Sequence, residues 1–103
     1  MTVEAITIGG IPLVYEKEGS GPPLVFFHGG NSSAVQWEAV VPQFMGEYTC
    51  YVLEQRGHGR SGREPNADYR FAAMIEEATA FVDQVTGPAI LVGQSMGGVV
   101  ALG

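Results

Sequence analysis

The segment PAILVGQSMGGVVAL, at residues 88–102, constrains the fold of this chain more than any other part of it. Residues 89–92 form an unbroken apolar run after a Gly-Pro pair, which predicts a strand covered on both faces, as in a parallel sheet. Gly93, Ser95 and Gly97 follow as GxSxG, and the residues after them are compatible with a helix. Larger side chains in place of the two glycines would collide with so sharp a turn. The pattern predicts a serine hydroxyl raised above the edge of a sheet.

Two other apolar stretches also end in glycine-rich polar loops. LVFFHGG occupies residues 24–30 and CYVLEQRGHGRSG occupies residues 50–62. In open α/β sheets the functional groups gather outside the carboxyl ends of the strands. We therefore expect the loops after these two strands to meet the loop of Ser95 at one sheet edge and to form a site there.

The rest of the chain supports an α/β architecture. Two strand-like stretches, Thr2–Ile8 and Ile11–Glu18, flank a Gly-Gly pair and predict a hairpin. A helix is predicted after the capping residues at 31–33, and Pro42 is expected to bend or shorten it. A second helix is predicted after Asp68, where apolar side chains recur at three- and four-residue steps: Phe71, Met74, Ile75, Ala78, Phe81, Val82 and Val85.

Composition excludes several classes of function. The net charge of −6 and the pI near 4.6 argue against nucleic acid or an anionic membrane as a partner. No segment has the pattern of a secretory signal or a transmembrane helix. The single cysteine, Cys50, is predicted to be a buried core thiol, which favours a reducing, cytoplasmic location. Without His and Cys pairs at ligand spacing, we expect no metal and no cofactor.

An apolar strand into HGG, a strand into RGHGRS and then GQSMGG, in this order, closely resemble the amino-terminal half of the α/β-hydrolase superfamily. The branch is that of esterases, lactonases, carbon–carbon bond hydrolases and cofactor-free haloperoxidases, and the resemblance covers essentially the whole chain. It implies a mostly parallel sheet of about five strands with an antiparallel first hairpin and flanking helices. It also implies a single, truncated domain over residues 1–103. A serine at the elbow argues against the epoxide hydrolases and dehalogenases of this branch, which place Asp there.

The resemblance also implies roles for individual residues. Ser95 would be the nucleophile, and the backbone N–H of Met96 would be one donor of the oxyanion hole. The second donor would be the N–H of Gly30, with that of Gly29 as the alternative. A helix that begins just after Ser95 would favour a growing oxyanion there.

Other side chains would brace the loops of the site. The resemblance implies this role for His28, Arg56 and His58. Family members usually carry Asp two places before the arginine, whereas this chain has Glu54. That departure concerns the bracing of the loop rather than the chemistry.

The largest departure from the family is a missing base and acid. A serine nucleophile needs a base to accept its proton and an acid to orient that base, and in this superfamily both follow the nucleophile. Only eight residues follow Ser95, and none is acidic or histidine. His28 and, less favourably, His58 are the alternative bases within the chain.

Two functions therefore stay open at this point. The first is a serine hydrolase, incomplete in this chain, that cleaves a small ester, lactone or related acyl substrate through an acyl-enzyme on Ser95. The second is a non-catalytic fragment of the fold that serves as an interaction or scaffold module. The strand before Ser95 would lie at an open side of the sheet. We therefore expect one of three outcomes: the sequence is the front portion of a longer enzyme, it associates with itself or a partner chain at that edge, or it is poorly soluble when expressed alone.

Overall fold

The structure, a computed structural model, describes residues 2–29, 33–62 and 71–93. Within these ranges the strands are β1 (Thr2–Ile8), β2 (Ile11–Gly19), β3 (Pro23–Phe27), β4 (Thr49–Glu54) and β5 (Ile90–Gly93). They form a five-stranded sheet in the order β1-β2-β4-β3-β5. Strands β1 and β2 are antiparallel, and β2 is antiparallel to β4, whereas β3 runs parallel to both β4 and β5. This arrangement confirms the predicted fold class.

The first hairpin forms where the sequence predicts it. Ile8 and Ile11 are paired across the turn, so Gly9 and Gly10 are the two turn residues. Their φ angles are 58° and 78°. A two-residue turn with both φ angles positive matches the right-handed twist of the strands, and glycine adopts it without steric cost.

The core consists of two apolar layers, one on each face of the sheet. Helix α1 (Phe71–Phe81) packs on the first face, where Phe81 is completely buried and lies edge-on to Tyr15, with ring centroids 5.0 Å apart. The first layer contains Ile8, Ile11, Leu13, Tyr15, Val25, Phe27, Tyr51, Leu53, Met74, Ala78 and Phe81. The second layer contains Leu24, Phe26, Ala34, Trp37, Val41, Cys50 and Val52. Adjacent residues of β3 alternate between the layers, as the period of a strand requires.

The helical segments differ in type from the prediction. The region after Ser33 forms two short 3₁₀ turns, Ala34–Trp37 and Val41–Gln43, rather than one bent α-helix. In one continuous α-helix Pro42 would lack the N–H needed for the helical hydrogen bond and its ring would clash with the preceding turn, whereas at the start of a separate 3₁₀ turn it is tolerated. The helix on the other face does form, as α1, and continues into a wider π-type turn, Val82–Thr86.

Strand β5 is less covered than its apolar sequence suggests. Ile90 and Leu91 are 53% and 39% exposed, so the expectation of a strand covered on both faces is wrong for this part of the chain. The reason is its position, since β5 lies at the side of the sheet and, among the described residues, pairs only with β3. Cys50, in contrast, is a free and fully buried thiol, as predicted.

Candidate active site

The register of the parallel strands brings two glycine-rich loops and the start of a third to one sheet edge. Phe27, the last residue of β3, pairs with Leu53 of β4 on one side and with Gly93 of β5 on the other. The chain segments that begin at His28, at Gln55 and after Gly93 therefore start side by side. Ser95, Met96 and Gly30 lie outside the described residues.

His28 is fully buried at this edge, and both of its ring nitrogens have hydrogen-bond partners. Nδ1 lies 2.8 Å from the carbonyl oxygen of Gly29, and Nε2 lies 3.0 Å from the backbone nitrogen of Gln55. The Gln55 N–H can only donate, so Nε2 accepts and the proton of the neutral ring is on Nδ1. Burial lowers the pKa of His28, and the hydrogen bond to Gly29 offsets this only in part. The ring is a neutral, fully engaged side chain.

The peptide group between His28 and Gly29 is held by two glutamine side chains. Gln55 Nε2 donates to the carbonyl oxygen of His28 at 2.8 Å. The N–H of Gly29 donates to Oε1 of Gln36, also at 2.8 Å. Gln55 is almost completely buried, whereas Gln36 is half-buried in the first 3₁₀ turn.

Glu54 is the central acceptor of the loop after β4. It is 2% exposed, and its carboxylate accepts hydrogen bonds from Arg60 Nε, from the N–H of Arg60 at 3.2 Å and from the N–H of Ala34 at 3.3 Å. Burial raises the pKa of Glu54, but the bonds from Arg60 and Ala34 outweigh it and hold the pKa below its usual value. Glu54 thus links the loop to the 3₁₀ turn after β3.

Arg56 joins the same loop to helix α1. Its Nε donates to Oε1 of Glu77 at 2.9 Å, and its backbone N–H donates to Oε2 at 3.2 Å. His58 packs against this part of the site from the loop, with Nδ1 2.8 Å from the carbonyl oxygen of Arg56 and its ring centroid 4.9 Å from that of His28. All three predicted bracing residues therefore lie in one connected region.

The end of the loop rests on β2. Ser61 is buried, donates from its hydroxyl to the carbonyl oxygen of Glu54 and accepts from the N–H of Val14 at 2.9 Å. The N–H of Gly62 donates to the carbonyl oxygen of Pro12 at 2.7 Å. These hydrogen bonds join the loop to β2, which lies far from it in the sequence.

Sequence reasoning missed Gln36, Gln55 and Glu77. Glu77 could have been recognised from the sequence, because it lies three residues after Met74 and four before Phe81. This spacing places a charged side chain on the apolar face of the helix. No sequence pattern pointed to the two glutamines, since neither lies at a spacing that predicts a contact. Over the described part of the chain, no helix is long and apolar enough to cross a membrane, and no group of three or more His, Cys, Asp or Glu side chains could hold a metal.

Comparison with known proteins agrees with this geometry. The sequence profile of the alpha/beta hydrolase fold family matches residues 22–102. The chain belongs to this family. It is 33% identical over 93 residues to 2-(acetamidomethylene)succinate hydrolase of Mesorhizobium japonicum, and this match covers 89% of the chain and 33% of that enzyme. It is also 30% identical over 95 residues to protein phosphatase methylesterase 1 of Mus musculus, and this match covers 86% of the chain and 25% of that relative.

Solved structures of this family share the backbone. The crystal structure of E-2-(acetamidomethylene)succinate hydrolase superposes with a TM-score of 0.90 at 30% identity, over 98% of the chain and 38% of that structure. The Cif epoxide hydrolase from Acinetobacter nosocomialis gives a TM-score of 0.88 at 27% identity, over 97% of the chain and 32% of that structure. The chain thus spans between 25% and 38% of the length of these relatives, all of which are named as hydrolases or esterases.

Proposed function

We propose that this chain carries the nucleophile half of a serine hydrolase of the α/β-hydrolase fold. Ser95 attacks the carbonyl carbon of a small ester, lactone or related acyl substrate, the leaving group departs, and water then hydrolyses the acyl-enzyme. The observation that supports this best is the pairing of Gly93 with Phe27, because it starts the GQSMGG segment beside His28 and Gly29. The relatives include a methylesterase, which agrees with acyl chemistry.

The oxyanion hole is proposed to consist of the backbone N–H groups of Met96 and Gly30. Donors fixed in advance at the place where negative charge develops lower the barrier, because no reorganisation is needed during the reaction. Gly29 is the weaker candidate for the second donor, since its N–H already donates to Gln36. The hydrogen bonds around His28, Arg56 and His58 support a bracing role for these residues.

The base and the acid are proposed to come from outside this sequence. His28 has no free lone pair to accept the proton of a serine. Its Nδ1–H donates a hydrogen bond to the carbonyl oxygen of Gly29, and its Nε2 accepts one from the N–H of Gln55. The hydrogen bond of His58 to the carbonyl oxygen of Arg56 involves only Nδ1, so His58 is disfavoured by its place: it follows β4, which lies one strand further from β5 than β3 does. A downstream histidine, oriented by a carboxylate, would take the proton of Ser95 and return it to the leaving group. We further propose a cytoplasmic setting, given the single buried thiol Cys50.

A serine-directed phosphonate probe tests this proposal. Labelling is measured on this chain and on the product of the full reading frame that encodes it, and bound probe is detected by intact mass. We expect stoichiometric labelling of the full product that disappears in Ser95→Ala and persists in Ser20→Ala, which removes an exposed serine. A folded full product that stays unlabelled would contradict the proposal and favour the non-catalytic interaction module.

A further inference from the structure

A cavity lies on the second face of the sheet, between β2 and the two 3₁₀ turns. Cys50 and Val52 of β4 line it and are almost completely buried, and Trp37 lines it from the first turn. On β2, Glu16 pairs with Val52 and Glu18 pairs with Cys50, so both carboxylates lie on this face of the sheet and beside the cavity. The cavity is therefore apolar where the turns cover β4 and acidic along β2.

Negative charge predominates around this cavity. A third carboxylate, that of the exposed Glu38, lines it from the end of the first turn. Arg60 supplies a cation nearby, with Nη2 2.7 Å from Oε2 of Glu16. Lys17 follows Glu16 in the sequence but lies over the ring of Tyr51, on the opposite face of the sheet. Arg60 can neutralise only one of the three carboxylates, so the cavity favours a positively charged occupant.

The indole of Trp37 adds a hydrogen-bond donor to the wall of the cavity. Trp37 is 8% exposed, and its ring packs on that of Phe26 with centroids 5.0 Å apart. Its Nε1 is buried and has no hydrogen-bond partner among the residues that the structure describes. A buried donor without a partner is costly, and an occupant with an oxygen acceptor would supply the partner.

The size of the cavity limits what it can hold. Its volume is about 190 Å³. Pockets for drug-sized ligands have roughly 300–1,000 Å³, whereas a cavity of about 150 Å³ holds a benzene molecule. The cavity thus suits a single side chain or a ligand of that size.

We propose that this cavity binds the side chain of an arginine residue of a partner polypeptide. The guanidinium pairs with the carboxylates, whose geometry its planar N–H donors match. The apolar stem lies against Cys50 and Val52, and a peptide carbonyl next to it accepts from Nε1 of Trp37. This site is separate from the one proposed for Ser95, and its test needs no catalytic activity.

The test compares three small molecules by NMR of the full reading-frame product, through the indole N–H resonance that is absent in Trp37→Phe. Nα-acetylarginine amide carries the cation and the carbonyls, Nα-acetylcitrulline amide replaces the guanidinium by a neutral urea of the same shape, and butylguanidinium has the cation without an oxygen. We expect the arginine amide to bind about tenfold or more tightly than the citrulline amide, because charge-assisted hydrogen bonds are the stronger ones. We expect butylguanidinium to bind more weakly than the arginine amide and to shift the indole proton less.

The contrary results are distinct for each part of the proposal. Equal affinities for the arginine and citrulline amides would overturn recognition of the charge, and the absence of a saturable shift with any of the three would overturn the site. Butylguanidinium binding as tightly as the arginine amide would mean that a small free cation is the occupant and would overturn the polypeptide partner.

A matched pair of variants separates the cavity from the overall charge. Glu38→Gln removes an exposed carboxylate that lines the cavity and should weaken binding of the arginine amide about threefold without affecting the citrulline amide. Glu47→Gln removes an exposed carboxylate that is not among the described lining residues and should leave both affinities unchanged. Equal losses in the two variants would show that the net negative charge attracts the cation, and would overturn the site.

Discussion

The guanidinium of Arg56 and the carboxylate of Glu77 form an ion pair between the loop after β4 and helix α1. Nε and Oε1 are 2.9 Å apart, and the two side chains are 10% and 1% exposed. Burial raises the pKa of Glu77, and the hydrogen bonds from Arg56 oppose that rise without cancelling it. The pair holds the loop against the helix, and the hydrogen bonds from Arg56 favour the charged form of Glu77 inside the protein.

Replacing Arg56 by methionine should therefore cost about 3 kcal/mol or more of unfolding free energy at about pH 7, since it leaves a buried carboxylate without its partner. The pKa of Glu77 would rise further. A carboxyl group whose pKa is higher in the folded than in the unfolded state stabilises the fold at low pH, and this stabilisation is lost as pH rises. The loss of unfolding free energy caused by Arg56→Met should therefore be smaller at about pH 5 than at about pH 7. Urea unfolding at both pH values measures this, with Lys17→Met as an exposed control expected to cost less than about 1 kcal/mol. An Arg56→Met cost as small as the control's would show that the pair contributes little.

Glu54 predicts the opposite dependence on pH. Its folded-state pKa is lowered, so the stability it contributes is complete above its unfolded pKa and is lost as pH falls through the folded value. Glu54→Gln should reduce the unfolding free energy by about 2 kcal/mol at about pH 7, and the difference from wild type should fade in acid. Denaturant unfolding over that range, with the exposed Glu47→Gln as control, is the measurement. A difference that stayed constant with pH would refute the role of the charge.

The close approach of Gly59 to Glu54 gives a third prediction. Gly59 has φ of 54°, and a Cβ at this position would overlap the Glu54 carboxylate. Gly87 has a similar φ of 68°, but a Cβ there would meet no atom within 4 Å, so Gly87→Ala isolates the backbone cost of roughly 1–2 kcal/mol. Gly59→Ala should cost about 1–3 kcal/mol beyond that because of overpacking. Thermal and urea unfolding of both variants measure the two losses of unfolding free energy. Equal losses would mean that the Glu54 carboxylate moves aside freely.

The side of the sheet at β5 provides a prediction on association. Ile90 is 53% exposed on a strand that, in the described part of the chain, pairs on one side only. If copies of this chain associate through that strand, Ile90→Lys should reduce self-association, because a charge on an edge strand opposes pairing. Sedimentation velocity over a range of concentrations measures it. Val35→Lys, at a 66% exposed position away from the strand, should have no such effect, and equal behaviour of the two variants would exclude this edge.

The sheet was largely predictable from the sequence because strands depend on local pattern. The hairpin at Gly9 and Gly10 and the bounds of β1 follow from turn chemistry and from runs of strand-forming residues. Helix α1 follows from the spacing of its apolar side chains. The place of β5 at the side of the sheet follows from the family resemblance, and its exposure follows from that place.

The polar contacts of the site were not predictable in the same way. Glu77 meets Arg56 across 21 positions of sequence, and Gln55 meets His28 across 27, so neither pair obeys a local rule. Gln36 lies in a 3₁₀ turn where the sequence predicts an α-helix, so the spacing of the neighbouring apolar residues did not give its place. Hydrogen-bond partners of this kind can be identified only once the arrangement of the strands fixes the distance between their loops.

The bonds from Ser61 and Gly62 to β2 mean that the first hairpin and the site are not independent units. Trimming the chain before residue 20 would strip Ser61 of the Val14 N–H and Gly62 of the Pro12 carbonyl, although the hairpin holds no proposed catalytic group. Variants shortened at the amino terminus would therefore disturb the loop after β4, although Ser61 lies 47 positions after Val14 in the sequence.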